Sequence, residues 1–166
     1  VPRAQIEVVT AGLKPGPVRG ARGTVVVPDR SLDDVIKQAF DMIVLPGGQP
    51  GASNLEADAR IRSLIQDMAV HGKITAAICA APKVLASVGV LDGKYATSFP
   101  GSVKPAEFPK VKLVEETVVQ DGNIITSRGP GTAMDFALAL IERLSDKATR
   151  DRVEQGLQRP AHHMHS

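Results

Sequence analysis

Apolar and polar positions follow two rhythms along this chain: short unbroken apolar runs, and longer stretches where apolar residues return every three or four positions. The short runs predict strands. Ile6–Thr10 reads as one closed by Ala11-Gly12, and Thr24–Val27 as another closed by Pro28-Asp29, with a Gly- and Pro-rich loop between them. Met42–Leu45 ends in Pro46-Gly47-Gly48, and Ile74–Ile78 runs straight into Cys79. Val111–Val114 and Val118–Gln120 complete the set, with Asp121-Gly122 as a hairpin signal leading into Asn123–Thr126.

The longer rhythm predicts helices between these strands. Ser31 can cap one running to about Phe40, with Asp33 and Asp34 in a first turn that favours negative charge. Ser53 or Asn54 can cap a longer one in which Leu55, Ile61, Leu64, Ile65 and Met68 recur up to Gly72. A third is expected from Ala80 to about Val88, stopped by Gly89. After the break at Gly129-Pro130-Gly131, Thr132 with Asp135 resembles a capping box for Ala133–Leu144, and a last helix is expected from Asp146 to about Leu157. Strands alternating with helices imply an α/β fold: a mostly parallel sheet covered by helices on both faces, with a hairpin appended.

Composition narrows the functional classes. A length of 166 residues suits one ordinary domain. Aromatic residues make up 3% of the chain with no Trp, so stacking platforms for single-stranded nucleic acid have little to be built from. The formal charge of +2 is spread along the chain, which also argues against a nucleic-acid partner. No apolar stretch is long enough to cross a membrane, and one cysteine excludes an internal disulfide, so a reducing, cytoplasmic-type compartment is the expectation.

That one cysteine carries the sharpest chemical signal. Cys79 sits where a strand-like run breaks into the small-residue segment Ala80-Ala81-Pro82, the junction at which α/β enzymes hold a nucleophile. Pro82 suits the first turn of a helix, so the helix start falls just after the thiol and its amides favour the thiolate. The bland alternative is a small buried side chain kept for packing. Gly47 and Gly48, at the end of a neighbouring strand, would let bare backbone approach a bound group. In doubly wound sheets ligands meet such carboxyl ends.

Leu45-Pro46-Gly47-Gly48, Ala76-Ala77-Ile78-Cys79-Ala80-Ala81-Pro82 and Thr126-Ser127-Arg128-Gly129-Pro130-Gly131-Thr132, in this order and spacing, resemble the ThiJ/PfpI superfamily, in its Parkinsonism-associated protein deglycase branch. The likeness runs from about Ile6 to Leu157. It implies a flavodoxin-like doubly wound sandwich, a homodimer, and an oxidation-prone cysteine on a strained elbow, with no cofactor and no resident metal. Members are credited with removing methylglyoxal or glyoxal adducts from proteins, converting those dicarbonyls to hydroxy acids, chaperone action and oxidant sensing. By this resemblance Cys79 is the nucleophile, the amides of Gly48 and Ala80 are the oxyanion donors, and Gly47, Arg22, Phe99 and Pro130 line the pocket. Arg22 reads equally as a solvated loop charge, and the Pro130 segment as a plain strand-to-helix connection.

Two departures from the family pattern stand out. Where some relatives place a histidine near the cysteine, this chain has Phe99. His71 cannot replace it, because it precedes the strand ending at Cys79 and five or six residues at about 3.3 Å each carry it to the opposite edge. Family members also begin with a strand and a helix bearing a glutamate that hydrogen-bonds the cysteine sulfur. No residue here matches that glutamate, and Glu7 belongs to a different predicted strand. The expected organisation is therefore a family-like domain over residues 1–158 lacking that first strand and helix, and a flexible tail over 159–166, where His162, His163 and His165 form a weak metal candidate at most.

Three functional readings follow. The first is a cysteine-dependent protein deglycase or cofactor-independent glyoxalase, with small dicarbonyls or glycated proteins as partners and oxidative-stress sensing by Cys79. The second is an amidotransferase- or protease-like hydrolase, which needs a histidine beside the thiol and is disfavoured without one. The third is a non-catalytic, redox-regulated chaperone or stress-response binding protein.

Overall fold

Burial on both faces turns the run Ile74–Ile78 into the middle of a sheet. This strand, β6, has Thr75, Ala76 and Ala77 without exposed surface. It lies between β5 (Met42–Leu45) and β10 (Ile124–Ser127), parallel to both. β9 (Val118–Asp121) pairs antiparallel with β10, so the strand order is β5-β6-β10-β9. The registers Leu45↔Ala77 and Ser127↔Ile78 bring the carboxyl ends of β5, β6 and β10 to one edge. The structure is a computed structural model, and it describes residues 1–160.

The described residues fall into two compact units, and the larger spans Val9–Phe136. There, α2 (Gly51–Ala57) and α3 (Ala59–Val70) connect β5 to β6, and α4 (Pro82–Val88) follows β6. Ile61, Ile65 and Met68 of α3 are buried while Val70 is exposed, as the helical period requires. Ile61 and Ile65 join Leu45, Ala77, Val84, Leu85 and Leu91 in the core. Gly89 ends α4 in the left-handed conformation, the role expected of it.

The single helix expected after Ser53 or Asn54 is two helices, beginning at Gly51 and broken at Asp58. Asp58 is extended, and its carboxylate accepts from the Arg60 amide, capping α3. Arg60 then reaches Asp58 Oδ2 at 2.7 Å, Asp33 Oδ1 at 2.8 Å and the Leu13 carbonyl at 2.9 Å. Its side-chain hydrogen bond to Asp58, and then that to Asp33, raise its pKa. Arg62 donates to Ser87 Oγ at 3.0 Å, tying α3 to the end of α4.

The remaining pairings are two residues long. β1 (Ala11–Gly12) runs parallel to β4 (Arg30–Ser31), β2 (Val18–Arg19) is antiparallel to β3 (Val25–Val26), and β7 (Tyr95–Ala96) is parallel to β8 (Lys112–Leu113). Thr10 and Asp29 exchange side-chain bonds to each other's amides just before the first of these pairs. The helix expected to reach Phe40 is one turn, α1 (Leu32–Val35), whose Leu32 and Val35 are buried; Lys37 and Gln38 add no apolar face to extend it. The hairpin loop is Gly122-Asn123, because Asp121 still pairs with Ile124.

The second unit joins Val1–Val8 to the chain from Ala137 onward. The strand expected over Ile6–Thr10 does not form. Ile6 packs instead against a cluster of Ala4, Leu138, Ile141 and Val153. α5 (Ala133–Leu144) ends in this unit, and α6 (Lys147–Leu157) is capped by Asp146, which accepts from the Thr149 amide at 2.6 Å. Among the described residues no helix is long and apolar enough to cross a membrane.

Candidate active site

Cys79 follows the last residue of β6 and precedes α4 by two residues, at the edge where the parallel strands end. Its φ of 65° lies in the left-handed region, which a non-glycine side chain rarely occupies. Two backbone bonds hold it there. The Cys79 amide donates to the Ser127 carbonyl at 3.1 Å, and the Phe99 amide donates to the Cys79 carbonyl at 2.7 Å. Cys79 is half-buried, and its thiol is in no disulfide.

The glycines after β5 make room for it. A Cβ built on Gly47 would lie 2.5 Å from Cys79 Cβ and 3.2 Å from its sulfur, so no side chain fits at this position without displacing the elbow. Gly48 has φ 90°, a conformation open to glycine at little cost. A Cβ there would meet Ala21 Cβ at 3.6 Å, which places the turn containing Ala21 and Arg22 against the glycine pair. Sequence reasoning passed over Ala21, whose small side chain carries no chemical signal. The amides of Gly48 and Ala80 donate to no other protein group among the described residues.

The other predicted site residues divide into near and peripheral. Phe99 is 50% exposed, and a Cβ at the buried Gly129 would come within 3.6 Å of its ring. Through its amide it is also directly bonded to Cys79. Pro130 begins a short 3₁₀ turn, Pro130–Thr132, and is exposed. Arg22 is exposed in its turn. His71 is where the strand-length argument places it: it follows α3, before β6 begins, with Nδ1 2.7 Å from the Asp67 carbonyl. Glu7 lies in no strand. Among the described residues no three His, Cys, Asp or Glu gather closely enough to hold a metal ion. His162, His163 and His165, with most of the expected tail, lie outside the described residues.

A free, half-buried cysteine in a left-handed elbow, beside a glycine pair at the mouth of a mostly parallel sheet, is an α/β arrangement of the kind that suits a nucleophile. The chain belongs to the DJ-1/PfpI family, whose sequence pattern matches residues 1–143. It is similar to Protein dj-1beta of Drosophila melanogaster, at 45% identity over 157 residues, covering 93% of this chain and 83% of that protein. The crystal structure of Drosophila melanogaster DJ-1beta superposes with a TM-score of 0.90 at 41% identity, covering 96% of this chain and 87% of that one. Its fold is thus the flavodoxin-like one of this family. The glutathione-independent glyoxalase DJR-1.2 of Caenorhabditis elegans is 37% identical over 142 residues, covering 86% and 75% of the two chains. A deglycase of Pyrococcus abyssi is 36% identical over 125 residues, covering 75% of each.

Proposed function

We propose that this chain is a cysteine-dependent enzyme of the deglycase or glyoxalase type, acting on methylglyoxal, glyoxal or their protein adducts. The observation that carries the reading is the Cys79 elbow between two strand ends, with the Gly48 and Ala80 amides uncommitted. The enzyme names of the nematode and archaeal relatives support the substrate class. Thiolate attack on the aldehyde carbon forms a C–S bond and pushes the carbonyl electrons onto oxygen, giving a hemithioacetal. Gly48 and Ala80 are the donors in this reading, since fixed amide dipoles stabilise charge that develops on that oxygen. For free methylglyoxal, moving a proton from the former aldehyde carbon to its neighbour turns the hemithioacetal into a thioester, and one water then cleaves the C–S bond, releasing lactate and the Cys79 thiolate. Arg22, at the edge of the glycine pair, would pair with the carboxylate product.

The decisive experiment compares methylglyoxal turnover by this chain and by Cys79→Ser, with mass spectrometry of the thiol. Loss of turnover in the variant is expected; equal turnover would remove Cys79 from the chemistry.

The alternative, a redox-regulated chaperone or binding protein, is favoured by Phe99 standing where an imidazole would serve a hydrolase. Both readings include oxidation of Cys79 as a sensor. Graded peroxide followed by peptide mapping should find Cys79 converted to sulfinate before Met42, Met68 or the exposed Met134 is oxidised. Earlier oxidation of Met134 would argue that the thiol is not activated. A cytoplasmic homodimer completes the proposal, supported by the single unpaired thiol and the family likeness.

A further inference from the structure

The elbow's left-handed backbone is disfavoured on its own and must be held by what surrounds it. Its supports converge on the last two residues of β10. Thr126 and Ser127 are fully buried and, as neighbours in a strand, point to opposite faces. Thr126 Oγ1 accepts from the Thr97 amide at 3.0 Å, fixing the loop whose Phe99 amide grips the Cys79 carbonyl. The Ser127 carbonyl accepts the Cys79 amide, and its hydroxyl donates to the Thr117 carbonyl at 2.6 Å. With that proton committed, the 2.7 Å contact between Ser127 Oγ and Thr132 Oγ1 needs the Thr132 hydroxyl as donor. Thr132 Oγ1 accepts from the amides of Arg128 at 3.2 Å and Gly129 at 3.1 Å, and its one proton is shared between Ser127 Oγ and the Gly129 carbonyl, 3.0 Å away. One threonine hydroxyl therefore closes the turn after β10 and braces the serine whose carbonyl holds the nucleophile.

We propose that Ser127 and Thr132 are positioning residues for Cys79, acting through the Ser127 carbonyl to keep the elbow in its reactive conformation. The inference rests on the reading of Cys79 as nucleophile and deepens it: reactivity at the mouth of β6 is set by hydroxyls on β10 and in the turn beyond it, neither of which reaches the substrate.

The test compares Thr132→Val, which keeps the shape and loses the hydroxyl, with Thr132→Ser, which keeps the hydroxyl and loses the methyl. Three quantities are read: the rate of Cys79 alkylation by iodoacetamide at one pH, kcat and KM for methylglyoxal, and the melting temperature. Thr132→Val should lower the alkylation rate and kcat by about two- to tenfold, the range that one neutral hydrogen bond spans, with KM within about twofold. Thr132→Ser should stay near the parent. Should the valine variant fail to fold, Thr132→Ala gives the same comparison. The proposal is overturned if the hydroxyl-free variant alkylates at the parental rate, if Thr132→Ser is as slow as Thr132→Val, or if KM rises while kcat holds. Alkylation needs no turnover, so a parent chain that alkylates but leaves methylglyoxal untouched would sink the enzymatic reading and leave this test readable.

Discussion

β10 and β5 flank the same central strand, yet they serve Cys79 in different ways. β10 is paired on both sides and all four of its residues are buried. Within its sheet β5 is paired with β6 alone, and Val44 stays 42% exposed. Along β5 runs an apolar cavity of about 150 Å³, lined by Val9, Ala11, Leu13 and all four residues of β5, and it does not include Cys79. A doubly paired strand has a fixed register on both edges, so its side chains and carbonyls can act as rigid supports. An outer strand is held along one edge only. What β5 brings to the site is backbone and empty space, in Gly47 and Gly48, where precision in a side chain is not required.

The largest expected effect tests that contrast in stability. Ile125→Ala, in the buried centre of β10, should cost about 2–5 kcal/mol, because an Ile side chain is removed from a site with no exposed surface. Val44→Ala on β5 should cost under about 1 kcal/mol. Urea unfolding of both variants measures the gap, and equal costs would erase the distinction between the two strands.

Next in size is Gly47→Ala, which breaks the steric rather than the packing half of the comparison. The added methyl must displace the Cys79 elbow, for about 1–3 kcal/mol of stability and a clear loss of Cys79 alkylation. Gly51→Ala, where nothing lies within reach of the new Cβ, should stay within about 0.5 kcal/mol of the parent. If Gly47→Ala alkylates as fast as Gly51→Ala, the close approach of Gly47 has no bearing on the thiol.

How much of this was legible in the sequence follows the same division. β6, Cys79 and Gly89 could be read directly, since a buried run ending in small residues and a glycine stop leave local marks. α5 was legible after the break at Gly129-Pro130-Gly131 and α6 after Asp146, which caps it, and the membership in this family from three motifs in order. The two-residue pairs were legible in part: Thr24–Val27 and Val111–Val114 contain β3 and β8, whereas β1, β2, β4 and β7 went unread, because a pair such as Tyr95–Ala96 is defined by its distant partner at Lys112–Leu113 and not by any rhythm of its own. Ile6–Thr10 misled for the converse reason: its apolar residues are real, but Ile6 packs on a small side-chain cluster and Val8 is exposed, so no ladder forms. Thr132 was read as a helix start with Asp135, and the amides of Arg128 and Gly129 that its hydroxyl also accepts from went unread. Hydrogen bonds of that kind depend on where β10 ends in space, which periodicity does not encode.

Arg22→Ala should have a smaller effect, confined to binding. The side chain is exposed, so melting should not move. Product inhibition by lactate or glycolate should weaken by up to about fivefold, the most that an exposed ion pair of about 0.2–1 kcal/mol supplies. Unchanged inhibition would make Arg22 a solvated loop charge and leave recognition to the glycine pair.

The smallest effect concerns the junction that leads from β5 toward β6. Arg60's side-chain hydrogen bond holds the Asp58 carboxyl below its usual range, against a lesser push upward from desolvation. A carboxylate whose pKa is lower folded than unfolded stabilises the fold fully above about pH 4, the ordinary carboxylate value, and loses that contribution as pH falls through its own depressed one. Asp58→Asn isolates the charge, because an asparagine oxygen can still accept from the Arg60 amide and cap α3. The parent should therefore melt slightly above Asp58→Asn at pH 7, and the difference should shrink as pH is lowered toward 3. Both partners are partly exposed, so added salt should shrink it as well. A difference that is constant in pH and salt would mean that geometry at the cap, and not the Asp58–Arg60 charge pair, joins the two helices.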